Sequence, residues 1–343
     1  MYKSGLSFVE VYSELEHSVL ALDAVVLSKT TAFQQLDIVD SSLYGRSLVL
    51  DGSWQSSSRD EAHYHEALVH PAFLAYAAAH GAAGPSTVLI LGGGEGATAR
   101  EALRWPSVTK VVMVDIDGEV VEACKEHMPE FSAGAFDDPK VELVIGDALK
   151  YLADAGADAN GPRFDVVISD LSDPIDDGPS QALFTREVFA SVRGVLSPEG
   201  VYVLQAGQVS PFLEMHVHTY STMKAVYPHV LGYSTDVASF RSHWGFMLGA
   251  FSDAYAPQAT CLGRPAPFSP LFAASAIDTL LAGADLTDSL QLLDGEGMLS
   301  MVTHPKWLRT AYARATKVFS SSDAELASYT TTLDDENEPA AAQ

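Results

Sequence analysis

The chain has 343 residues, enough to bury a sizeable core, and its 47% hydrophobic content is typical of a globular enzyme rather than a disordered protein. Its formal net charge of −25 disfavours nucleic acid as a partner, because nucleic-acid binding depends on Lys and Arg side chains. The same charge would attract a polycationic small molecule, although solubility alone also accounts for it. No apolar run approaches a membrane span, no signal peptide is evident, and Cys124 and Cys261 are isolated. We therefore expect a cytoplasmic protein with no membrane contact and free thiols.

The first part of the chain predicts a small antiparallel β domain. Residues 17–50 alternate apolar and polar side chains, and turn chemistry occurs at SSLYG and at Asp51-Gly52. Trp54 and Gln55 follow in a predicted loop, and a helix is expected from residue 60 to about 80. We assign residues 1–60 to this N-terminal β domain.

From Thr87 onward strands and helices alternate, which predicts an α/β fold with a doubly wound, Rossmann-like parallel sheet. Residues 61–318 form the predicted catalytic domain, and 319–343 form an acidic tail that we expect to be disordered. The predicted strands are at 88–91, 110–114, 141–145, 164–169, 201–205, 230–236 and 245–250. The predicted helices are at 96–105, 117–127, 147–155, 181–195, 213–226, 270–283 and 305–315.

A glycine turn follows the first predicted strand of this domain. The segment Val88–Arg100 contains a buried apolar strand, then Gly92, Gly93, Gly94 and Glu95, then the start of a helix. The glycines permit a sharp turn and the close approach of a ligand. Such a turn suits either the pyrophosphate of NAD or the methionine-derived part of an S-adenosyl ligand.

Three carboxylates end the next strands. Asp115, Asp147 and Asp170 follow the second, third and fourth strands, so they converge on one crevice at the carboxyl edge of the sheet. A single aspartate in this position is more often a helix N-cap. The set of three favours an adenosyl-sulfonium site over a dinucleotide site, with acids near the ribose, the adenine and the reacting centre.

Two further groups of residues carry possible chemistry. In Asp170-Leu171-Ser172-Asp173-Pro174 two acids lie three positions apart, where they could hold ammonium groups or accept a proton from an attacking amine. A solvated loop is the alternative interpretation. In His63-Tyr64-His65-Glu66, helical geometry lets at most two side chains point into one site, which argues against a metal centre.

Together these motifs resemble the polyamine aminopropyltransferases, the spermidine synthase family. The resemblance runs from about residue 15 to residue 252. It includes, in order, GRSLVLDGSWQ, RDEAHYHEALVHPA, LILGGGEGATARE, VDID, GDA and SDLSDP. It implies a methyltransferase-type sheet, decarboxylated S-adenosylmethionine as co-substrate, no metal or other cofactor, and a homodimer or homotetramer.

The resemblance also implies individual roles. Asp170 matches the catalytic acid/base. The decarboxylated S-adenosylmethionine ligands would be Gln55, Gly92, Gly94, Glu95, Asp115, Asp147 and Ala148. The amine ligands would be Tyr64, His65 and Asp173. Glu95 stands where the family often has Asp, and Asp115 where it usually has Glu; both departures keep the negative charge.

Within the family, the segments SDLSDPIDDGPSQALFTREVF, VLQAG and SFRSHWGF most resemble thermospermine synthases. This implies transfer of an aminopropyl group to spermidine, giving thermospermine and 5′-methylthioadenosine. Alternative acceptor assignments are putrescine, as in spermidine synthase, and spermidine giving spermine. An S-adenosylmethionine-dependent methyltransferase, a non-catalytic polyamine-binding protein and an NAD dehydrogenase are the alternatives from other classes.

Overall fold

The computed structural model describes residues 5–11, 17–158, 160–172, 181–210 and 214–322. The N-terminal part is all β, as predicted, and forms a two-stranded antiparallel sheet (β1–β2) and a four-stranded one (β3–β4–β5–β6). The strands are β1 (Ser7–Val11), β2 (His17–Ala21), β3 (Ala24–Thr30), β4 (Gln35–Ser41), β5 (Gly45–Leu50) and β6 (Ser53–Ser57).

The four-stranded sheet buries both of its faces because apolar residues alternate sides along its strands. Leu36, Ile38 and Leu48 pack against residues of the following domain that include Val120 and Phe131. Val39 and Val49, on the opposite face, pack with Trp54 and residues of the β1–β2 hairpin. The N-terminal domain is therefore held against the larger one by its own hydrophobic pattern.

The predicted loop at Trp54 and Gln55 is wrong, because both residues lie in β6. The turn at Asp51-Gly52 closes a hairpin in which Val49 pairs with Trp54. Asp51 and Gly52 both have positive φ, 48° and 77°, which suits a tight β-turn. A hairpin turn has to be followed by a strand that returns along β5, and this places Gln55 on the sheet.

The larger domain follows the strand and helix alternation that the sequence predicts. Its strands are β7 (Thr87–Gly92), β8 (Lys110–Asp115), β9 (Val141–Ile145), β10 (Phe164–Asp170), β11 (Leu196–Gln208), β12 (His229–Val237) and β13 (Ser242–Ala250). Its helices are α1 (Glu61–Ala79), α2 (Ala97–Leu103), α3 (Gly118–His127), α4 (Pro129–Ser132), α5 (Ala148–Ala157), α6 (Arg186–Val195), α7 (Met215–Lys224), α8 (Ala274–Gly283), α9 (Gly295–Val302) and α10 (Lys306–Arg314). A two-residue pair, β14 (Thr260–Cys261) and β15 (Arg264–Pro265), lies between β13 and α8.

Within the described residues the central sheet has seven strands in the order β12-β13-β11-β10-β7-β8-β9. The strands from β11 to β9 are parallel, but β13 runs antiparallel to both of its neighbours. The wholly parallel sheet that the alternation predicts is therefore wrong at this end. Only residues 238–241 separate β12 from β13, and a connection this short joins antiparallel strands.

Helices cover both faces of this sheet. On one face α1, α8 and α9 bury Phe73, Val88 and Ile90, and on the other α5, α6 and α7 bury Leu89 and Leu91. The odd and even residues of β7 thus enter different cores, which explains why this strand is apolar throughout. Helix α9 was not predicted, since its sequence begins Gly-Glu-Gly.

The chain after α10 returns to the domain. Phe319 is 3% exposed, and its backbone N–H donates to Thr222 Oγ1 over 2.9 Å. The Ser320 hydroxyl donates to Glu187 Oε1 over 2.9 Å. Residues 319–322 of the predicted tail are thus packed against α6 and α7, and residues 323–343 lie outside the described residues. In the described part of the chain no helix is both long and apolar enough to span a membrane.

Candidate active site

A cavity of about 320 Å³ lies at the carboxyl edge of the central sheet, facing the N-terminal domain. As the strand-end positions predict, residues from the ends of β7, β8 and β10 and from the loop after β9 meet there. The predicted site residues that line the cavity are Gln55, Tyr64, Gly92, Gly94, Glu95, Asp115, Asp147, Ala148 and Asp170.

The N-terminal domain supplies the opposite wall of the cavity. Besides Gln55, its lining residues are Phe33, Gln34, Leu48, Leu50, Asp51 and Ser53. Sequence reasoning did not identify these residues, because their contribution depends on how two domains pack together. The site is consequently completed by both domains.

The glycine turn holds the end of β7 close to the end of β10. Gly92 has a φ of +83°, and a Cβ atom there would lie 2.1 Å from the carbonyl oxygen of Asp170. The N–H of Gly93 donates to that same carbonyl over 3.0 Å. Only glycine at position 92 allows this approach, so the backbone of Asp170 is fixed against the turn that carries Glu95.

The Asp170 carboxylate is held at both oxygens. The Tyr64 hydroxyl donates to Oδ1 over 2.7 Å, and the Thr98 hydroxyl donates to Oδ2 over 2.5 Å. Burial raises the pKa of Asp170 and the negative charge of Glu95 raises it further, while the His65 cation and the two hydroxyl donors oppose the rise. The result is an oriented carboxylate that is more basic than an exposed aspartate.

Thr98 is the contact to Asp170 that sequence reasoning missed. It lies in the first turn of α2, three residues after Glu95, and it is fully buried. The available signal was a hydroxyl side chain in the first turn of the helix that leaves the glycine turn.

Glu95 forms an ionic contact with a buried histidine, His65, on the side away from the cavity. His65 is 0% exposed, with Nε2 lying 3.1 Å from Glu95 Oε1 and Nδ1 lying 2.8 Å from Glu61 Oε2. Burial lowers the pKa of His65, but the hydrogen bonds to Glu61 and Glu95 and their negative charges outweigh it and raise that pKa to about 10. His65 is therefore a cation between two carboxylates.

Further charged side chains extend the contacts of Glu61 away from the cavity. Arg100 donates to Glu61 Oε2 over 2.8 Å and to Glu101 Oε1 over 2.9 Å. Glu101 Oε2 lies 3.0 Å from His70 Nε2. A chain of alternating charges thus fixes α1 to α2, which are the two helices that carry Tyr64 and Thr98.

Asp115 and Asp147 line the cavity and also make local backbone contacts. Asp115 Oδ1 accepts the N–H of Asp117, and Asp147 Oδ1 accepts the N–H of Leu149 at the start of α5, each over 2.8 Å. The helix N-cap interpretation is therefore correct for Asp147, alongside its place at the cavity. Burial raises the pKa of Asp115 to about 6, aided by the charge of Glu95.

Comparison with known proteins identifies the family. A spermine/spermidine synthase domain matches residues 61–253, and a spermidine synthase tetramerisation domain matches residues 8–57. A polyamine aminopropyltransferase from a Synechococcus species is 42% identical over 90% of this chain and 94% of its own length. Another from Aeropyrum pernix is 43% identical over 85% of this chain and 86% of its own length. This chain belongs to the spermine/spermidine synthase family.

A solved member of this family shares the fold. Spermidine synthase from Thermotoga maritima aligns with a TM-score of 0.74 over 91% of this chain and 96% of its own, at 24% identity. The family models and the relatives above 40% identity confirm the predicted family, and this structural match confirms the predicted fold with its N-terminal β domain. The chain is a polyamine aminopropyltransferase, and its co-substrate is decarboxylated S-adenosylmethionine.

Two predicted amine ligands, His65 and Asp173, are not among the described residues that line the cavity. The structure places His65 behind the cavity wall rather than in it: its ring packs edge-on against that of Tyr64, with the centroids 5.0 Å apart, and both its ring nitrogens bond to other residues. We therefore replace its predicted amine contact with an ionic contact to Glu95. Asp173 lies outside the described residues. Among the described residues, no group of three or more His, Cys, Asp or Glu side chains could hold a metal ion.

Replacing Thr98 with Val is expected to move the acidic limb of the kcat/KM pH profile toward higher pH. The Thr98 hydroxyl stabilises the charged form of Asp170, so its removal raises the pKa of that carboxyl further. Initial rates across the pH range would measure the change. Thr98→Ser, which keeps the hydroxyl, should retain the wild-type profile; an unmoved limb in Thr98→Val would contradict this role.

Proposed function

We propose that this aminopropyltransferase uses spermidine as acceptor and forms thermospermine and 5′-methylthioadenosine. The observation that supports catalysis at this cavity is the Asp170 carboxylate, held by Tyr64 and Thr98 beside Glu95 at the sheet edge. The choice of spermidine rests on the resemblance of residues 169–189 and 239–246 to thermospermine synthases.

The proposed donor pose follows the charges along the cavity. The ribose hydroxyls would donate to Asp115, and the adenine would lie by Asp147 and Ala148. Gln55 would contact the ribose or sulfonium region from the N-terminal wall. The ammonium of the aminopropyl group would pair with Glu95, whose position is fixed by the His65 cation.

The proposed reaction is a direct displacement at the carbon next to the sulfonium. A neutral amine of spermidine forms the new N–C bond, the C–S bond breaks with its electron pair going to sulfur, and 5′-methylthioadenosine leaves. Because a free alkylamine has a pKa of roughly 10.4, the acceptor must lose a proton, and Asp170 would receive it. Holding the amine and carbon in line would contribute much of the acceleration.

An aromatic group lies next to Tyr64 at the proposed acceptor end. The Phe240 ring centroid is 5.7 Å from that of Tyr64 and 4.7 Å from that of Trp244. The N–H of Ser239 donates to Asp60 Oδ2 over 2.7 Å and fixes this turn against the start of α1. Aromatic faces attract ammonium groups, which suits the inner charges of a longer polyamine, and Asp173 would hold a distal one.

The acceptor assignment is tested by comparing kcat/KM for spermidine and putrescine with decarboxylated S-adenosylmethionine. We expect kcat/KM for spermidine to exceed that for putrescine by at least about tenfold, since putrescine lacks one ammonium group, worth about 1.5–3 kcal/mol when hydrogen-bonded. A preference for putrescine would overturn the acceptor assignment and leave aminopropyl transfer intact.

Glu95→Gln is expected to raise KM for decarboxylated S-adenosylmethionine by about 10- to 100-fold, because a charged hydrogen bond worth about 1.5–3 kcal/mol is lost. Competition with S-adenosylmethionine, whose extra carboxylate Glu95 repels, should become stronger in the variant. Inhibition constants for S-adenosylmethionine measure this effect. Glu142→Gln, which removes a surface ion pair to Lys110, is the matched control. Equal inhibition of wild type and Glu95→Gln by S-adenosylmethionine would argue against the role of Glu95.

We also propose a homotetramer, with a homodimer as the alternative. The support is the match of residues 8–57 to a tetramerisation domain. The β1–β2 hairpin in that region carries the exposed side chains of Val9, Val11 and Val19, which are 49%, 62% and 57% exposed. Light scattering on the purified protein would give the mass of the assembly.

A further inference from the structure

A second cavity, of about 590 Å³, lies away from the catalytic one. It is formed by the end of α7, the start of β12, β15 and α10, and by residues 315, 316 and 318. It shares no lining residue with the catalytic cavity. Its volume is within the range of small-molecule sites.

The charge of this cavity is opposite to that of the whole chain. Lys224, Arg264 and Arg309 all line it, although the chain has only 20 Lys and Arg against 45 Asp and Glu. None of the described lining residues is Asp or Glu, and within the described residues none of the three cations has a carboxylate within 4.0 Å. Three cations gathered without counter-charges repel one another, so an anion placed among them would be stabilised.

The interior of the cavity adds aromatic walls and a buried histidine. Tyr220 and Tyr312 are stacked with their ring centroids 4.2 Å apart. His304 is 6% exposed, and its Nε2 lies 2.7 Å from the Gly232 carbonyl, to which it must donate. Its Nδ1 is buried without a hydrogen-bond partner among the described residues. A neutral His304 therefore offers an acceptor that a ligand hydroxyl would satisfy.

We propose that this second cavity binds a small phosphate-bearing anion. Lys224, Arg264 and Arg309 would pair with phosphate oxygens, and the two guanidinium groups suit the planar, two-point contact that phosphate accepts. A P–OH group would donate to His304 Nδ1, a contact that a fully ionised carboxylate could not make. Such a ligand would be recognised independently of the polycationic substrate, whose charge this cavity repels.

The proposal is tested by titration calorimetry of the full chain with pyrophosphate, inorganic phosphate and tricarballylate, a tricarboxylate without a hydroxyl group, at low ionic strength. We expect pyrophosphate to bind once per chain and more tightly than tricarballylate, and we expect its affinity to fall as NaCl is added. The double variant Arg264→Gln/Arg309→Gln should bind pyrophosphate at least about tenfold more weakly, because charged hydrogen bonds are lost. Arg163→Gln removes one positive charge outside the cavity and should bind pyrophosphate as wild type does.

Arg309 also donates to the carbonyl of His304, so the double variant could lose structure. Lys224→Gln provides the second test, because Lys224 is exposed at the end of α7 and its ammonium lies 5.9 Å from the Tyr220 ring centroid. This variant should bind pyrophosphate more weakly than wild type while melting at the same temperature. Equal affinity in wild type and Lys224→Gln, no binding up to millimolar pyrophosphate, or tighter binding of tricarballylate than of pyrophosphate would each overturn the proposal.

Discussion

Asp170→Asn is expected to lower kcat by about 10²- to 10⁴-fold, the range that general acid–base catalysis supplies. The amide keeps the shape of the carboxyl group between Tyr64 and Thr98, but it cannot take the proton that the attacking amine loses. KM for decarboxylated S-adenosylmethionine should change much less, because the donor is proposed to be held by other side chains. Steady-state rates of 5′-methylthioadenosine release measure both parameters.

The control for this variant is Asp154→Asn, which neutralises an exposed carboxylate on α5 that pairs with Lys150 at the surface. It should retain the wild-type rate. Raising the pH should not rescue Asp170→Asn fully, although it increases the fraction of neutral amine. A variant that keeps more than about a tenth of the wild-type kcat would show that Asp170 does not receive the proton.

His65→Gln is expected to destabilise the protein by about 3–5 kcal/mol, the usual effect of removing one partner from a buried ion pair. The variant would leave Glu61 and Glu95 buried together without the cation between them. Urea unfolding at constant pH measures the free energy of unfolding. Glu95 would also lose its fixed position, so KM for the donor should rise in the variant.

The stability difference should depend on pH with a defined sign. Because the folded pKa of His65 is raised from 6.5 to about 10, its charge stabilises the fold fully below pH 6.5, and that stabilisation is lost as pH rises toward 10. Wild type and His65→Gln should therefore converge in stability as pH rises through this window. Glu142→Gln, which removes a surface ion pair to Lys110 away from α1, is the control and should differ little in stability from wild type. A constant difference across the window would contradict the cationic state of His65.

The meeting of the predicted carboxylates at one cavity could be predicted from the sequence, because the ends of parallel strands carry their residues to a defined edge of the sheet. Asp115, Asp147 and Asp170 each follow an apolar run, and parallel strands bring such ends together whatever the intervening helices do. The glycine turn was equally informative, since a positive φ at Gly92 leaves few other residues possible.

The parts that the sequence did not predict depend on contacts between distant segments. Phe33 and Ser53 reach the cavity only because one face of the N-terminal sheet packs on α3 and α4. His65 lies next to Tyr64 in sequence, but the helix turns its side chain toward Glu61 and Glu95 instead. Strand β13 is antiparallel to its neighbours because only four residues, 238–241, connect it to β12. The prediction from strand and helix alternation did not take the length of this connection into account.

The identity of the polyamine formed from spermidine tests the central proposal most directly. The purified enzyme would be incubated with decarboxylated S-adenosylmethionine and spermidine, and the product resolved by chromatography that separates thermospermine from spermine. Attack by the amine on the shorter, three-carbon arm gives thermospermine, which is the predicted product. Spermine, formed through the four-carbon arm, or no product from spermidine, would contradict the proposed function.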